Sequence, residues 1–505
     1  MSVITVSNLT FSYPSSYDNI FENVSFSINT DWKLGFIGRN GRGKTTFLNL
    51  LMGKYEYNGN ISAQVKFDYF PFEISDKTKT SLEIAAEINP NFLENYEEWK
   101  LEREISLMDM NPDEILNRPF ETLSKGEQTK VLLAILFIRD DNFLLIDEPT
   151  NHLDAQSRLT VAKYLKGKNS FILVSHDRAF LDTCVDHVLS INKANIEIQK
   201  GNFSSWWENK ERQDNFELAE NEKLKRDIGR LEKSAKQSAG FAYKTEASKG
   251  RKAGQSDNRV DKGFVGAKAA KMMKRSIHAQ NRKVKAVEDK SKLLKNIENA
   301  DALKLNPTEF RADRLLDIQN LSIFYGDKAV CEDISFTVEK GDRLQLKGKN
   351  GCGKSSVIKL ILGENIKHSG SLYIPQDLVI SYVSQDTSYL RGNLTDFAKE
   401  HNIDESLLKS ILRKLDFARI QFEKNIENYS EGQKKKVLIA KSLCEEADLY
   451  IWDEPLNYID VLSRIQIEEL ILNYCPTMIF VEHDELFSEK VTTKTLVLEP
   501  SIGKT

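Results

Sequence analysis

Two glycine-rich loops, 310 positions apart, constrain this 505-residue chain more than anything else in it. Gly38-Arg39-Asn40-Gly41-Arg42-Gly43-Lys44-Thr45 fits the pattern GxxxxGK[ST], and Gly348-Lys349-Asn350-Gly351-Cys352-Gly353-Lys354-Ser355 fits it again. One such match arises by chance often enough to mean little. Here the surroundings repeat as well. Leu123-Ser124-Lys125-Gly126-Glu127-Gln128 returns as Tyr429-Ser430-Glu431-Gly432-Gln433. Phe143-Leu144-Leu145-Ile146-Asp147-Glu148-Pro149 returns as Leu449-Tyr450-Ile451-Trp452-Asp453-Glu454-Pro455, and Val174-Ser175-His176-Asp177 as Val481-Glu482-His483-Asp484. The order is kept both times, so the chain reads as one α/β module written twice. The boundaries expected are 1–205 and 306–505, with a different kind of segment at 206–305.

In each half a strand enters the glycine loop and a helix leaves it, from Lys44 and from Lys354. The apolar runs before Asp147, Asp453, His176 and His483 read as buried parallel strands. A glycine loop opening a helix aims backbone N–H groups at phosphates. Gly38, Asn40, Gly41, Gly43, Lys44, Thr45 and Thr46 are therefore assigned to ATP in the first half, and Gly348, Asn350, Gly351, Gly353, Lys354, Ser355 and Ser356 in the second. Thr45 and Ser355 would give a hydroxyl to Mg²⁺, and Asp147 and Asp453, each ending a strand, suit the magnesium shell. Glu148 and Glu454 follow at once and could polarise the attacking water. His176 and His483 could reach the γ-phosphate, and the rings of Tyr13 and Tyr325 could stack on adenine. Taken singly, each residue also has a bland reading: a DE pair is usually a strand end, a lone His structural, a lone Tyr packing.

The longest apolar run, Val131 to Ile138, is far short of the roughly 20 residues a bilayer-spanning helix needs. The start, Met1 to Phe11, reads as a strand and not as a signal peptide. Five scattered cysteines without a CxxC pair argue against a disulfide framework and a zinc site, and fit a cytoplasmic protein. The 206–305 segment contains helical stripes, Phe216, Leu224, Ile228, Leu231 and Ala235 before Gly250, and Val284, Val287, Leu294 and Ile297 after Gly266. They imply a helical hairpin with its tip near 245–264. Between Lys244 and Lys285 stand thirteen basic and three acidic residues, a local +10 that leaves the remainder at −14 within a whole-chain charge of −4. A basic spike on an acidic body is an electrostatic footprint for phosphate backbone. Lys244, Lys249, Arg251, Lys252, Arg259, Lys262, Lys271 and Arg275 are the candidate RNA contacts, with Phe241 and Tyr243 able to stack on unpaired bases. The bland reading is a solvated charged hairpin.

The LSKGEQ and YSEGQ segments resemble the signature loop of the ATP-binding-cassette family. The resemblance implies head-to-tail pairing of the two cassettes inside one chain, and a monomer. Ser124 and Gly126 would then close on ATP held by Lys354, and Ser430 and Gly432 on ATP held by Lys44. Asp154 and Asp460 fall at that family's dimer-contact loop. Gln385 matches the family's glutamine between glycine loop and signature, as an ATP and Mg²⁺ contact, whereas the first half has Phe72 there.

The tandem cassettes with a basic helical insert resemble the ABC-F subfamily. The stretch from Asp261 to Arg275 is similar to its antibiotic-resistance members, and the whole chain to the Lsa/Vga-like branch. That implies an ATPase that binds the bacterial 70S ribosome at the transfer-RNA exit site, beside the P-site transfer RNA, and touches large-subunit ribosomal RNA. The linker tip would displace lincosamides, pleuromutilins and group A streptogramins. The short stretch between Phe72 and Ser124 implies that an extra arm is absent, and no C-terminal extension is expected before Thr505. The alternatives are a housekeeping ABC-F translation factor and the ATPase subunit of an exporter.

Overall fold

The computed structural model describes residues 2–14, 19–89, 98–139, 142–151, 153–192, 195–249, 303–305, 307–308, 310–326, 328–349 and 351–499. The chain divides into two compact units, Met1–Trp206 with Ala300–Thr505, and Trp207–Asn299.

The first unit holds both cassettes. In the first cassette β1 (Val3–Phe11), β2 (Phe21–Asn29) and β4 (Asn58–Ser62) form an antiparallel sheet in the order β2-β1-β4. A second sheet runs β5-β6-β7-β3-β8-β9, from β3 (Lys33–Ile37), β5 (Lys66–Phe70), β6 (Asn142–Asp147), β7 (Phe171–Val174), β8 (His187–Asn192) and β9 (Asn195–Lys200). All its pairs are parallel except β8 with β9. Its helices are α1 (Lys44–Leu51), α2 (Ser81–Ile88), α3 (Glu98–Ser106), α4 (Pro112–Leu116), α5 (Lys125–Phe137), α6 (Ala155–Lys166) and α7 (Arg178–Cys184). The next helix, α8 (Phe203–Lys249), leaves this cassette.

The second cassette repeats the plan. The antiparallel sheet is β11 (Lys328–Glu339), β10 (Arg314–Tyr325) and β13 (His368–Tyr373), in that order. The parallel sheet runs β14 (Ile380–Val383), β15 (Leu449–Asp453), β16 (Met478–Val481), β12 (Arg343–Lys347) and β17 (Lys494–Val497). The helices are α9 (Lys354–Ile361), α10 (Leu394–Glu400), α11 (Glu405–Lys414), α12 (Glu431–Cys444), α13 (Val461–Tyr474) and α14 (Glu485–Val491).

The order follows from local chemistry. The strands at the sheet centres are apolar runs buried along their length, such as Phe171–Val174 and Met478–Val481. The helices that follow them start on side-chain caps: Asp177 accepts from the Phe180 amide and Asp484 from that of Phe487. Ser124 and Ser430 cap α5 and α12 in reciprocal boxes with Glu127 and Gln433. Gly43 and Gly353, at φ 93° and 98°, turn strand into α1 and α9 through a left-handed step that a side chain would strain. The five cysteines are free thiols.

The second unit is described only through α8. The helix has 47 residues, roughly 70 Å at 1.5 Å per residue. Its exposed side carries i,i+4 ion pairs Glu208–Arg212 and Glu222–Arg226. Phe216 from the expected apolar stripe is exposed. The helix runs through residues 245–249, at the start of the expected tip. Arg251, Lys252, Arg259, Lys262, Lys271 and Arg275 lie outside the described residues, as do the side chains of Phe241, Tyr243, Lys244 and Lys249. Among the described residues no helix is long and apolar enough to cross a membrane.

Helix α12 is fixed by a buried ion pair. Lys436 Nζ lies 2.8 Å from Asp460 Oδ2, at 4% and 0% exposure, and also donates to the Leu415 carbonyl. Burial alone would raise the Asp460 carboxyl; the Lys436 charge and the Ser463 amide hold it far below the usual carboxylate range. Removing one partner strands the other charge, so Asp460→Ala should lower unfolding free energy by about 3–5 kcal/mol, read by chemical denaturation. Because that carboxyl's folded value lies below its unfolded one, the loss should be the same at every pH above roughly 4. A loss under about 1 kcal/mol would show the pair to be solvated.

Candidate functional site

Each glycine loop meets the ends of two neighbouring strands. In the first cassette Lys44 is buried, its Nζ donating to the carbonyls of Gly38 and Arg39 and to Asn40 Oδ1. Burial lowers its pKa, against the pull of Asp460, Glu148 and Asp147. Thr45 Oγ1 donates to Asp147 Oδ2 at 2.8 Å. The Tyr69 hydroxyl donates to the same oxygen at 3.0 Å. Glu148 directly follows β6 at φ 51°, a left-handed conformation that is strained for a glutamate. Burial, with Asp147 beside it, pushes its carboxyl up to about 8. Burial likewise depresses His176, whose Nε2 lies 3.3 Å from Glu148 Oε1. That oxygen makes no hydrogen bond within the described residues, so it is free to meet a polar ligand.

The second cassette uses the same parts differently. Lys354 Nζ again donates to two loop carbonyls, those of Gly348 and Lys349. Glu454 has the same strained φ, 47°, and His483 Nε2 at 3.5 Å. Here Gln385 Nε2 donates to Glu454 Oε2 at 2.8 Å, and Asn457 Nδ2 to the same oxygen at 2.6 Å. Burial alone would raise Glu454, but His483 and Gln385 bring it below its ordinary value. A cavity of about 550 Å³ opens onto Lys354, Ser355, Gln385, Glu454 and His483, with Lys125 and Asn151 of the first cassette in its wall.

Cross-cassette contacts complete the geometry. Asn40 Nδ2 donates to the Tyr458 carbonyl at 2.7 Å, and Gly432 sits against both: a Cβ there would stand 2.4 Å from that carbonyl oxygen. The Lys44 loop thus faces Ser430 and Gly432 at the start of α12. The Lys354 loop shares its cavity with Lys125, between Ser124 and Gly126. Arg42 pairs with Asp416 at 3.2 Å, and Arg178 with Glu468 at 2.6 Å.

Some candidate residues sit elsewhere than on an open ligand face. Asp460 has both oxygens engaged inside the protein, by Ser463 and Lys436. Asp154 caps α6 through the Ser157 amide and lines a separate cavity near His483. Tyr13 holds Thr46 through its hydroxyl at 2.9 Å and stands edge-on to Tyr55, while Tyr325 is exposed, with Ser356 Oγ at 3.4 Å. Gly41 and Gly351 hold left-handed turns in the loops. Asn350 lies outside the described residues. Sequence reasoning missed Asn457, though its counterpart Asn151 stands at the same place in the repeat. It also missed Tyr69, which no motif marks.

Among the described residues no three His, Cys, Asp or Glu side chains group as a metal site. Magnesium beside a triphosphate needs less: it takes one carboxylate and one hydroxyl, with phosphate and water for the rest. Thr45 with Asp147, and Ser355 with Asp453, fit that demand, and buried Asp453 Oδ1 has no hydrogen-bond partner among the described residues.

This geometry agrees with the family comparison. The description "ABC transporter" matches residues 21–151 and 331–457, together more than half of the chain. The chain belongs to the ABC transporter family. It is an ATPase with two tandem ATP-binding ABC domains. It is 28% identical to Ribosome protection protein VmlR of Bacillus subtilis, over 98% of this chain and 86% of that one. It is 25% identical to the Energy-dependent translational throttle protein EttA of Haemophilus influenzae, over 95% and 89%. In fold it is similar to an archaeal ribosome recycling factor solved with a ribosomal stalk protein, at TM-score 0.61 and 19% identity, over 97% of this chain and 87% of that one. Matches spanning both ABC domains and the segment between them support the ABC-F resemblance.

The two glutamates should titrate apart. With Glu454→Gln, kcat/KM reports the first site and should rise with pH through about 8, as Glu148 loses its proton. With Glu148→Gln it reports the second, where depressed Glu454 is already ionised, so no such rise should occur between roughly pH 6 and 9. Identical profiles would contradict the assigned difference.

Proposed function

We propose that this protein is a cytoplasmic ABC-F ATPase that binds the bacterial 70S ribosome at the transfer-RNA exit site and protects the large subunit from lincosamides, pleuromutilins and group A streptogramins. The observation that carries this reading is a 47-residue helix that runs on in sequence from the first cassette into a +10 segment, in a chain similar over 98% of its length to a ribosome protection protein. Two ATP molecules would lie between the cassettes. Lys44 and Lys354 would neutralise phosphate charge, Glu148 and Glu454 would take a proton from the attacking water, and His176 and His483 would hold the γ-phosphate side of each glutamate. Bound Mg²⁺, held by Thr45 with Asp147 and by Ser355 with Asp453, would supply charge neutralisation at the phosphates. Ser430 and Gly432 would cover the first ATP, Ser124 and Gly126 the second, so ATP acts as glue and hydrolysis releases it.

The basic linker then supplies affinity for ribosomal RNA and the P-site transfer RNA through Lys and Arg contacts to phosphate. Its tip would dislodge the drug. The similarity to a translational throttle protein favours a second reading, a translation factor with the same ribosome site and no drug phenotype. Deleting the gene from its host separates the two: a lowered inhibitory drug concentration supports protection, and an unchanged one supports the translation factor.

Two further outcomes follow. Glu148→Gln with Glu454→Gln should trap the closed state, and with ATP the variant should co-sediment with 70S ribosomes at least tenfold more than wild type after turnover. Sedimentation free of ribosomes, or with membranes, would refute the partner. Replacing residues 246–262 by a short Gly/Ser turn should keep ATPase activity within about twofold and abolish protection, since those residues lie far from the glycine loops in sequence. Protection that survives the replacement would remove the tip from the mechanism.

A further inference from the structure

The two cassettes differ at one buried position that the repeat makes visible. Lys435 lies on α12, five residues after Ser430; the matching residue of α5 is Thr129. Thr129 bonds within its own helix, to the Lys125 carbonyl. Lys435 is 2% exposed and crosses to other elements: its Nζ donates to the Ser384 carbonyl at 2.7 Å and reaches the Asp453 carbonyl at 3.4 Å. A second contact joins the same segments, from the Thr387 hydroxyl to Glu431. Glu482, where the first cassette has Ser175, supplies the largest opposing charge to buried Lys435. The tethered segment carries Gln385, which holds Glu454. Its counterpart in the first cassette is Pro71-Phe72, with neither the glutamine nor the lysine.

Helix α12 therefore touches both sites. Its first turn, with Ser430 and Gly432, faces the first glycine loop through Asn40. One turn further on, Lys435 grips the backbone that positions Gln385 against Glu454 of the second site. We propose that Lys435 is a positioning residue that transmits nucleotide occupancy of the first site, through α12, to the Gln385–Glu454 pair of the second. The first cassette has no matching link to Glu148, because α5 has Thr129 and its loop lacks the glutamine. A shift of α12 when nucleotide fills the first site moves the Ser384 carbonyl with it, and a displacement of about 1 Å at a catalytic pair is enough to change turnover greatly.

The test reads the second site alone, in full-length Glu148→Gln protein, where the first site binds ATP without turning it over. Lys435→Met keeps length and loses the donor. It should lower kcat roughly tenfold or more with KM within about twofold, and the Hill coefficient for ATP should fall to about 1. Lys435→Arg, which still donates, should restore most of both. Unchanged kcat and Hill coefficient in Lys435→Met would overturn the coupling. So would a kcat loss that merely tracks the folded fraction while the Hill coefficient holds. Should Lys435→Met fail to fold because Glu482 is stranded, Lys435→Met with Glu482→Gln removes both charges and faces the same criteria. The proposal rests on Glu454 and Gln385 serving hydrolysis, so Glu454→Gln is measured alongside in the same Glu148→Gln protein, where the first site is already silent. Turnover surviving Glu454→Gln overturns that assignment and the coupling with it; turnover lost there but intact in Lys435→Met overturns the coupling alone.

Discussion

Asn40 joins three things at once: the phosphate loop's lysine through its Oδ1, the Tyr458 carbonyl through its Nδ2, and Gly432 by direct approach. Each contact demands the others. A side chain at position 432 would push the Tyr458 carbonyl away, and without that acceptor the Asn40 amide would lose its partner at a half-buried interface, a cost of about 1–3 kcal/mol. The glycine of the signature segment is thus explained by sterics before any nucleotide is considered. It leaves room for its own cassette's Tyr458 carbonyl and the opposite cassette's Asn40 amide.

From that junction the two sites diverge in their electrostatics. Both glutamates directly follow a buried strand in a left-handed conformation, and both have a histidine near 3.4 Å, yet their protons are held differently. Around Glu454, His483 first and then the Gln385 amide favour the ionised form, and the Asn457 amide donates to the same oxygen as Gln385. Around Glu148 no such donors converge among the described residues, Phe72 stands where the glutamine would be in sequence, and burial beside Asp147 favours the neutral form. The missing glutamine therefore takes away one of the contacts that hold Glu454 below its ordinary value.

Most of this was legible in the sequence because repetition made it so. The two glycine loops and the strand-ending Asp-Glu pairs pointed to both parallel sheets, and the facing of each loop against the other half's helix came from the family resemblance of the signature segments. What could not be read were contacts made by residues with no motif of their own. Tyr69 bonds Asp147 from a strand whose alternation says only that it is half buried. Asp460, read as a dimer-contact residue, is committed to Lys436, a pairing that no spacing reveals because the lysine sits on another helix. Asn457 was visible in principle, since Asn151 repeats it. The side chains of the basic tip lie outside the described residues, and their meaning still comes from charge alone.

Arg178 and Glu468 form a buried pair across the cassettes with no mirror image. The place matching Arg178 in the second cassette is Glu485, and the place matching Glu468 in the first is Ala162. If two first cassettes from separate molecules came together, each guanidinium would meet an alanine in a dry setting. Two second cassettes would bring carboxylate against carboxylate. Either mispairing loses the contact between Arg178 and Glu468, with Glu468 keeping its ion pair to Lys490 of its own cassette. The pair therefore favours a first cassette set against a second one over two like cassettes set together.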